Sequence, residues 1–483
     1  MSGVVSADAI VIGAGAGGAV LAAELAEAGA SVVVLEEGPE HHTDEFTARP
    51  PEMLARLYRD GGQTMTVGNP PIALPLGRGL GGTTIVNSGT CFRTPPAVLE
   101  RWQREFGLEL DLAACFERVE RSISVAEVTP ELAGRNAAVA RRGAEQLGWS
   151  HGYLRRNAKG CVGSGVCVFG CPASAKQHTG ITYLPRARDA GARIVTGARV
   201  DRIRPGRLHM VEAGGDQFTA PTVIVAAGTI HTPGLLARSG LGAGSGQLGH
   251  NLSLHPATAV VALMDEVVDM ARGVPQSFYV DEFAGEGIMF EGVAGPPAYA
   301  AMSLPLTGRR HAAAMASYRR LAQFGVMVSD TSRGRIATVA GQPVIRYDLV
   351  HADLERFRSG LAKLEQLFLA AGAREVYLPL AAGVRPGRAR RRDLRLMAFH
   401  PLGTARADAR PSHGVVDQNL KVHGLDGIYV ADGSVIPSAL GVNPQLTIMA
   451  LATRLALSLA TGVRSPDRRA PDSPTRHRMP LGS

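Results

Sequence analysis

Apolar runs interrupted by glycine set the first expectations. Residues 7–12 form a short apolar run, followed by a turn with Gly13, Gly15, Gly17 and Gly18, then an alanine- and leucine-rich stretch to Gly29, then a second apolar run, 31–35, that ends in Glu36. Short apolar runs bounded by glycine read as buried strands, and the longer stretch between them reads as a helix. The order is strand, tight turn, helix, strand. A third run, 222–226, leads into Gly228 and predicts another buried parallel strand. Amphipathic spacing predicts helices over 111–125 and 353–371, and alternation predicts antiparallel strands over 324–329, 335–339 and 343–347 that suit the floor of one sheet. Residues 278–327 scatter Phe, Met, Tyr and Ala among glycines, a composition of ordinary core or of an apolar-walled pocket. Beyond residue 463 the chain is rich in Pro, Arg, Asp and Ser and is expected to be disordered.

Composition narrows the class. The 483 residues allow two or three domains, and 45% apolar against 19% charged excludes a disordered chain. The net charge of +8 would point to an acidic partner, but only Lys159, Lys176, Lys363 and Lys421 are lysines and the arginines are scattered along the whole length. Nucleic acid is therefore not an expected partner. The densest basic run, 385–395, reads as a solvated face, with docking of an acidic electron acceptor as the alternative. No signal peptide or charge-free apolar span is apparent, and five cysteines do not make a secreted disulfide framework. A soluble protein of a reducing compartment, the cytoplasm, is the expectation.

The first glycine turn carries specific chemistry. Gly13 permits the turn, Gly15 admits a pyrophosphate close to the backbone, Gly18 lets helix and strand pack, and the helix N-terminus offers N–H groups to the anion. Glu36 is placed to accept from a ribose 2′-hydroxyl, which disfavours a 2′-phosphate. The same glycine spacing recurs at Gly77, Gly79, Gly82 and at Gly244, Gly246, Gly249 without flanking strand and acid. On the first motif alone both NAD and FAD stay open.

Three distant segments add a resemblance. Residues 77–87 (Gly-Arg-Gly-Leu-Gly-Gly-Thr-Thr-Ile-Val-Asn) resemble the first signature of the glucose–methanol–choline (GMC) flavin oxidoreductases, and residues 228–242 resemble the second. His400-Pro401-Leu402-Gly403-Thr404, Asp432-Gly433-Ser434 and residues 441–447 are similar to the family's C-terminal block. The resemblance implies FAD as cofactor and an α/β fold: a discontinuous Rossmann-like FAD-binding domain with an α+β substrate domain built on an antiparallel sheet. It divides the chain into 1–45, 75–92, 190–255 and 398–463 for FAD, 93–189 and 256–397 for substrate, 46–74 as a connecting lid, and a tail from 464. It implies Arg78, Gly82, Thr83, Asn87, Gly89, Thr90, Val200, Gly228, Asp432, Gly433, Asn443, Pro444 and Thr447 as cofactor contacts, beside Gly13, Gly15, Gly18 and Glu36. Asn87, Gly89 and Thr90 would lie near the flavin ring and Val200 near adenine. Cys91 departs from the aromatic residue or alanine common in the family.

Oxidising an alcohol on a flavin needs a hydride acceptor and a proton acceptor, and a histidine suits the second task near neutral pH. By resemblance His400 is the catalytic base and Asn443 orients the alcohol oxygen. His41, His42, His178, His231, His255, His351 and His423 read as loop, capping or packing residues. Cys161, Cys167 and Cys171 share one glycine-rich loop, a pattern of iron–sulfur ligation. It resembles cluster-bearing GMC dehydrogenases, while 164–177 also resembles the long-chain alcohol oxidase-like branch, where the loop is structural. The structural loop is the favoured reading. The function implied is oxidation of an apolar small-molecule alcohol, with oxygen or a redox partner as electron acceptor. A lyase or decarboxylase on the same fold, and a dehydrogenase relaying electrons through a cysteine-bound cluster, are the alternatives.

Overall fold

The computed structural model describes residues 4–463; the expected disordered tail lies outside them. Five parallel strands form the sheet on which the glycine turns hang, in the order Ile428–Val430, Thr222–Val225, Ala9–Ile12, Val32–Leu35, Arg193–Val195. Both apolar runs of the N-terminal unit are strands, and the stretch between them is the helix Ala16–Glu27. That helix is alanine-rich because it is buried nearly all round: the helices Tyr183–Asp189 and Gln445–Val463 pack on it while it covers the sheet. A four-stranded sheet lies beside this unit, in the order Val5–Ser6, Asp216–Ala220, His209–Ala213, Val200–Arg204.

The second layer is an eight-stranded, largely antiparallel sheet. Its centre is Leu321–Val328, paired on one side with Ala257–Leu263 and on the other with Ile288–Gly292. All eight residues of the central strand are buried, because both faces are covered. Phe324, Val326 and Val328 belong to the hydrophobic core under the helices Pro130–Leu147 and His351–Ala370, and Gln323, Gly325 and Met327 face a large cavity. The period of two thus separates core from site. The two helices cross closely where Gly143 sits, since a Cβ there would stand 2.3 Å from the Leu367 carbonyl oxygen.

The expected helices occur as Ala113–Ser122 and His351–Ala370, and the 324–329 strand occurs within Leu321–Val328. The other two expected strands need correction. Arg335–Val339 and Gln342–Arg346 form a separate two-stranded ribbon, joined at one edge by an isolated bridge from Val67 to Arg346 and not by the eight-stranded sheet. Only Ile336 and Ile345 of these ten residues are buried, too little apolar surface to join the floor. The ribbon docks by its backbone, Ile336 N–H to Gly249 O at 2.7 Å, and brings Thr338 and Pro343 to the cavity rim. Among the described residues no helix is long and apolar enough to cross a membrane.

Candidate active site

The carboxyl ends of the parallel strands open into a cavity of about 920 Å³ that extends to the eight-stranded sheet, where open α/β sheets commonly place ligands. The mouth of the site is made by backbone. Gly13 has φ +98°, and a Cβ there would meet Ala226 O at 2.3 Å; a Cβ on Gly18 would meet Gly13 O at 1.9 Å. Gly15 differs, since a Cβ on it would meet nothing within 4 Å, and it lines the cavity. Gly17 was missed by the fingerprint spacing: a Cβ there would stand 1.9 Å from Ala431 O. No local signal could have found it, because the contact is made by the distant end of the chain.

A second glycine turn presses on the first. Gly81 N–H donates to Ala14 O at 3.0 Å, a Cβ on Gly38 would stand 2.4 Å from Gly79 N, and one on Gly82 would stand 3.0 Å from Gly15 Cα. Glu36 clasps this junction. Its carboxylate accepts from Ala14 N–H at 2.9 Å and Gly38 N–H at 2.8 Å while lining the cavity. Burial raises its pKa, and the two amides oppose the rise.

Arg78, Gly82, Thr83, Asn87, Gly89, Thr90, Val200, Gly228, Asp432, Gly433, Asn443 and Pro444 all line the same cavity. Asp432 accepts from Gly228 N–H at 2.9 Å, Thr232 Oγ at 2.6 Å and Ser434 N–H at 2.8 Å, and so ties two of the loops together. Two expected contacts stand behind the wall: Gly18 in the helix–strand packing, and Thr447, whose hydroxyl pairs with Thr94 at 2.8 Å. Cys91 is buried beside Gln445, and burial pushes its thiol up to about 12.

His400 and Asn443 come together at the far end. Asn443 Nδ2 lies 3.3 Å from His400 Nε2 and 3.4 Å from Glu291 Oε2. Burial, with His255 as a like-charged neighbour, pushes His400 down to about 3. His255 holds the pair in place: its Nε2 accepts from Leu440 N–H at 2.8 Å and Gly441 N–H at 3.0 Å, and its ring meets that of His400 edge-on at 5.7 Å. Accepting two amides keeps His255 neutral with its proton on Nδ1. Glu291 was not anticipated. It projects from Ile288–Gly292 into the cavity, accepts from Gln276 and Asn443, and burial raises its pKa to about 7. A single acid inside an otherwise apolar strand was the one available signal.

The three loop cysteines do not gather as metal ligands. All five cysteines are free thiols, and no group of three or more His, Cys, Asp or Glu residues is arranged to hold a metal ion among the described residues. Packing explains the loop: a Cβ on Gly165 would stand 2.0 Å from Ala271 O, and Cys167 Sγ accepts from Arg156 at 3.3 Å. Buried Lys176, also unanticipated, pins the loop to the second glycine segment by donating to Ile85 O (2.5 Å), Asn87 O (2.7 Å) and Cys167 O (2.7 Å). Burial lowers its pKa to about 8.

Comparison with known proteins agrees with this geometry. The chain matches the family model described as GMC oxidoreductase over residues 54–257 for its N-terminal part and 330–452 for its C-terminal part, and a model described as NAD(P)-binding Rossmann-like domain over 11–67. It is 43% identical to an uncharacterized GMC-type oxidoreductase of Mycobacterium tuberculosis, covering 95% of this chain and 77% of that protein. A long-chain-alcohol oxidase of Arabidopsis thaliana is 28% identical, covering 92% and 66%. The solved pyridoxine 4-oxidase from Mesorbium loti has a TM-score of 0.72 and 19% identity over 93% of this chain and 98% of that one, a likeness of fold.

Three outcomes are expected. Gly15→Ala should keep the melting temperature of the cofactor-free protein yet lower the bound cofactor per chain, whereas Gly17→Ala should lower both, read by calorimetry and by absorbance. Lys176→Met leaves two buried carbonyls and one part-buried carbonyl without that donor and should cost about 3 kcal/mol in denaturant unfolding. Glu291 has a folded pKa above its unfolded value, so its contribution to stability is complete below pH 4.5 and is lost as pH rises through 7. Glu291→Gln should remove that loss, gaining about 3 kcal/mol on the parent between pH 4 and pH 8 in thermal unfolding.

Proposed function

The chain belongs to the GMC oxidoreductase family, and on that basis we propose that it oxidises the CH–OH group of an alcohol with an apolar body, with His400 taking the hydroxyl proton and Asn443 orienting the oxygen. Membership makes it an FAD-dependent oxidoreductase acting on alcohols. The residues fit FAD: the glycine cradle at Gly15 and Gly82 would be narrowed by any side chain, and Thr90 Oγ and His231 Nε2 stand on the cavity wall without partners. On this reading Gly13, Gly15, Gly82 and Thr83 would face the diphosphate, Glu36 a ribose, Val200 the adenine, and Asn87, Gly89 and Thr90 the flavin. Arg78, Gly228, Asp432, Gly433 and Pro444 would complete the enclosure, with Gly18 and Thr447 supporting it from behind. Residues 1–45, 75–92, 190–255 and 398–463 would form the cofactor unit, 93–189 and 256–397 the substrate unit, and 46–74 the link between them.

When bound, FAD supplies the two-electron acceptor for the hydride that leaves the carbinol carbon. The chain's own part is the proton and the pose. His400 is neutral at physiological pH, and its Nε2, which meets Asn443 Nδ2 at 3.3 Å, can take the hydroxyl proton once the alcohol oxygen enters between the two side chains. Asn443, held between His400 and Glu291, can donate to the alcohol oxygen as charge develops on it. His255 fixes the turn that carries Asn443 and buttresses the His400 ring. Val293, Ala294, Met302 and Met327 supply apolar wall for the body of the substrate. The single observation that carries the reading is the His400–Asn443 pair at 3.3 Å on the wall of a glycine-mouthed cavity.

The test is anaerobic mixing of the holoenzyme with a panel of alcohols, read as bleaching of the flavin. Bleaching is expected with at least one of them, and His400→Ala should slow it roughly 10²- to 10⁴-fold with the cofactor retained. An unchanged rate in the variant would remove His400 from the reaction, and a flavin that stays oxidised with every alcohol would favour lyase chemistry. Peroxide formation in air, against dye reduction, then separates oxygen from a redox partner as acceptor.

A further inference from the structure

Cations avoid the interior of this chain, with one exception. Of the described lysines and arginines only Arg156 and Lys176 are buried, each 2% exposed, and the two share Cys167 as a partner. Among the described residues neither forms an ion pair, whereas Arg155, the neighbouring position of the strand Arg155–Asn157, reaches the carboxylate of Glu120. The groups that act on Lys176 are the Arg156 guanidinium and the thiols of Cys167 and Cys171. Lys176 in turn acts on His178, and Arg156 on the Cys91 thiol. No carboxylate is among them, although an opposite charge is what burial of a cation ordinarily demands.

What the two cations hold is a stretch of cavity wall. Lys176 Nζ donates to Ile85 O and Asn87 O, and Arg156 Nε donates to Ser88 O at 2.9 Å. Asn87, Ser88, Gly89 and Thr90 all line the cavity. Gly89 is the thin point: a Cβ there would stand 3.3 Å from Arg156 Nη2 and 3.7 Å from Lys176 Cδ. One layer of backbone therefore separates two positive charges from the ligand space. A clamp on carbonyl oxygens needs only donors, and neutral donors would serve without the cost of burying charge. Two cations kept there without an anion have a counter-charge that arrives in the cavity.

Resting on the reading that seats the flavin beside Asn87, Gly89 and Thr90, we infer that Arg156 and Lys176 are positioning residues that act through this wall, their paired positive charge stabilising the reduced cofactor and raising its reduction potential. In the oxidation the carbinol C–H bond breaks, and its electron pair and hydrogen pass to the cofactor while the hydroxyl proton goes to His400 and the C=O bond forms. The cofactor gains one negative charge. Each cation behind Gly89 favours that charge, by roughly tenfold to a hundredfold in the equilibrium between oxidised and reduced cofactor.

The midpoint potential of the holoenzyme, measured by dithionite reduction against indicator dyes, tests this without any alcohol. Arg156→Gln and Lys176→Met should each move the equilibrium roughly tenfold to a hundredfold toward the oxidised cofactor, a potential lower by about 30 to 60 mV for two electrons. Arg156→Lys and Lys176→Arg keep the charge and should stay within about threefold of the parent at pH 7. The pH dependence of the parent gives a second readout. Burial lowers the pKa of Lys176 to about 8, and negative charge beside it raises that value, so reduction above pH 8 takes up an additional proton and the potential falls more steeply there. Lys176→Arg, which does not titrate, should lose the steeper section. Where Lys176→Met fails to fold or to hold FAD, Arg156→Gln and the slope of the parent decide. Potentials that the charge-removing variants leave unchanged, an equal fall in the charge-keeping variants, or a slope that is the same in the parent and in Lys176→Arg overturns the inference. The expected shifts in a holoenzyme that bleaches with no alcohol would instead count against the oxidation reading and leave the two cations setting the potential.

Discussion

The site depends on backbone meeting backbone where side chains would not fit. Gly13 against Ala226, Gly18 against Gly13, Gly17 against Ala431 and Gly38 against Gly79 all place a missing Cβ within 2.4 Å of main-chain atoms. Contacts this close are open only to glycine, and they bring the first strand turn, the second glycine turn and the loop after Ile428–Val430 to one point. The cavity is the space left between them. The loops that carry His400 and Asn443 hang on the same junction, because Gly403 N–H donates to Gly433 O and Thr229 Oγ to Pro401 O.

The opposite wall obeys a different rule. The eight-stranded sheet offers one face to its helices and one to the cavity, and it fills the first with Phe and Val and the second with Gln323, Gly325, Met327 and Glu291. Burial there acts on every titratable group in the same sense, toward neutrality. His400 and His255 are driven down and Glu291 up. Near pH 7 the end of the cavity at His400 therefore carries neutral imidazoles and a carboxyl whose ionisation burial opposes, an environment in which each hydrogen bond counts for more than it would in water.

What the sequence made legible was local. The fingerprint turn, the buried strands and the two amphipathic helices are written in glycine spacing and periodicity, which the chain carries within a few residues. The pair His400 and Asn443 was legible only through family resemblance, since neither residue has a distinguishing neighbour pattern. Gly17, Lys176, His255 and Glu291 were not legible in their roles, because each is defined by a partner far away: Ala431, Ile85, Leu440 and Asn443. The Arg335–Val339 and Gln342–Arg346 ribbon was misplaced for a related reason. Alternation identifies a strand, but which sheet it joins depends on how much apolar surface its neighbours offer.

The threading of the parallel sheet also bears on how the molecule comes into being. Its central strand, Ala9–Ile12, lies between Val32–Leu35 and Thr222–Val225, its edge strand is Ile428–Val430, and the Ala16–Glu27 helix rests on Gln445–Val463. The strand Ala9–Ile12 and the helix Ala16–Glu27 thus have their lasting neighbours among elements far away along the chain. Pairings of such long sequence separation must close large loops before their contacts reward them, which favours slow assembly over fast local folding.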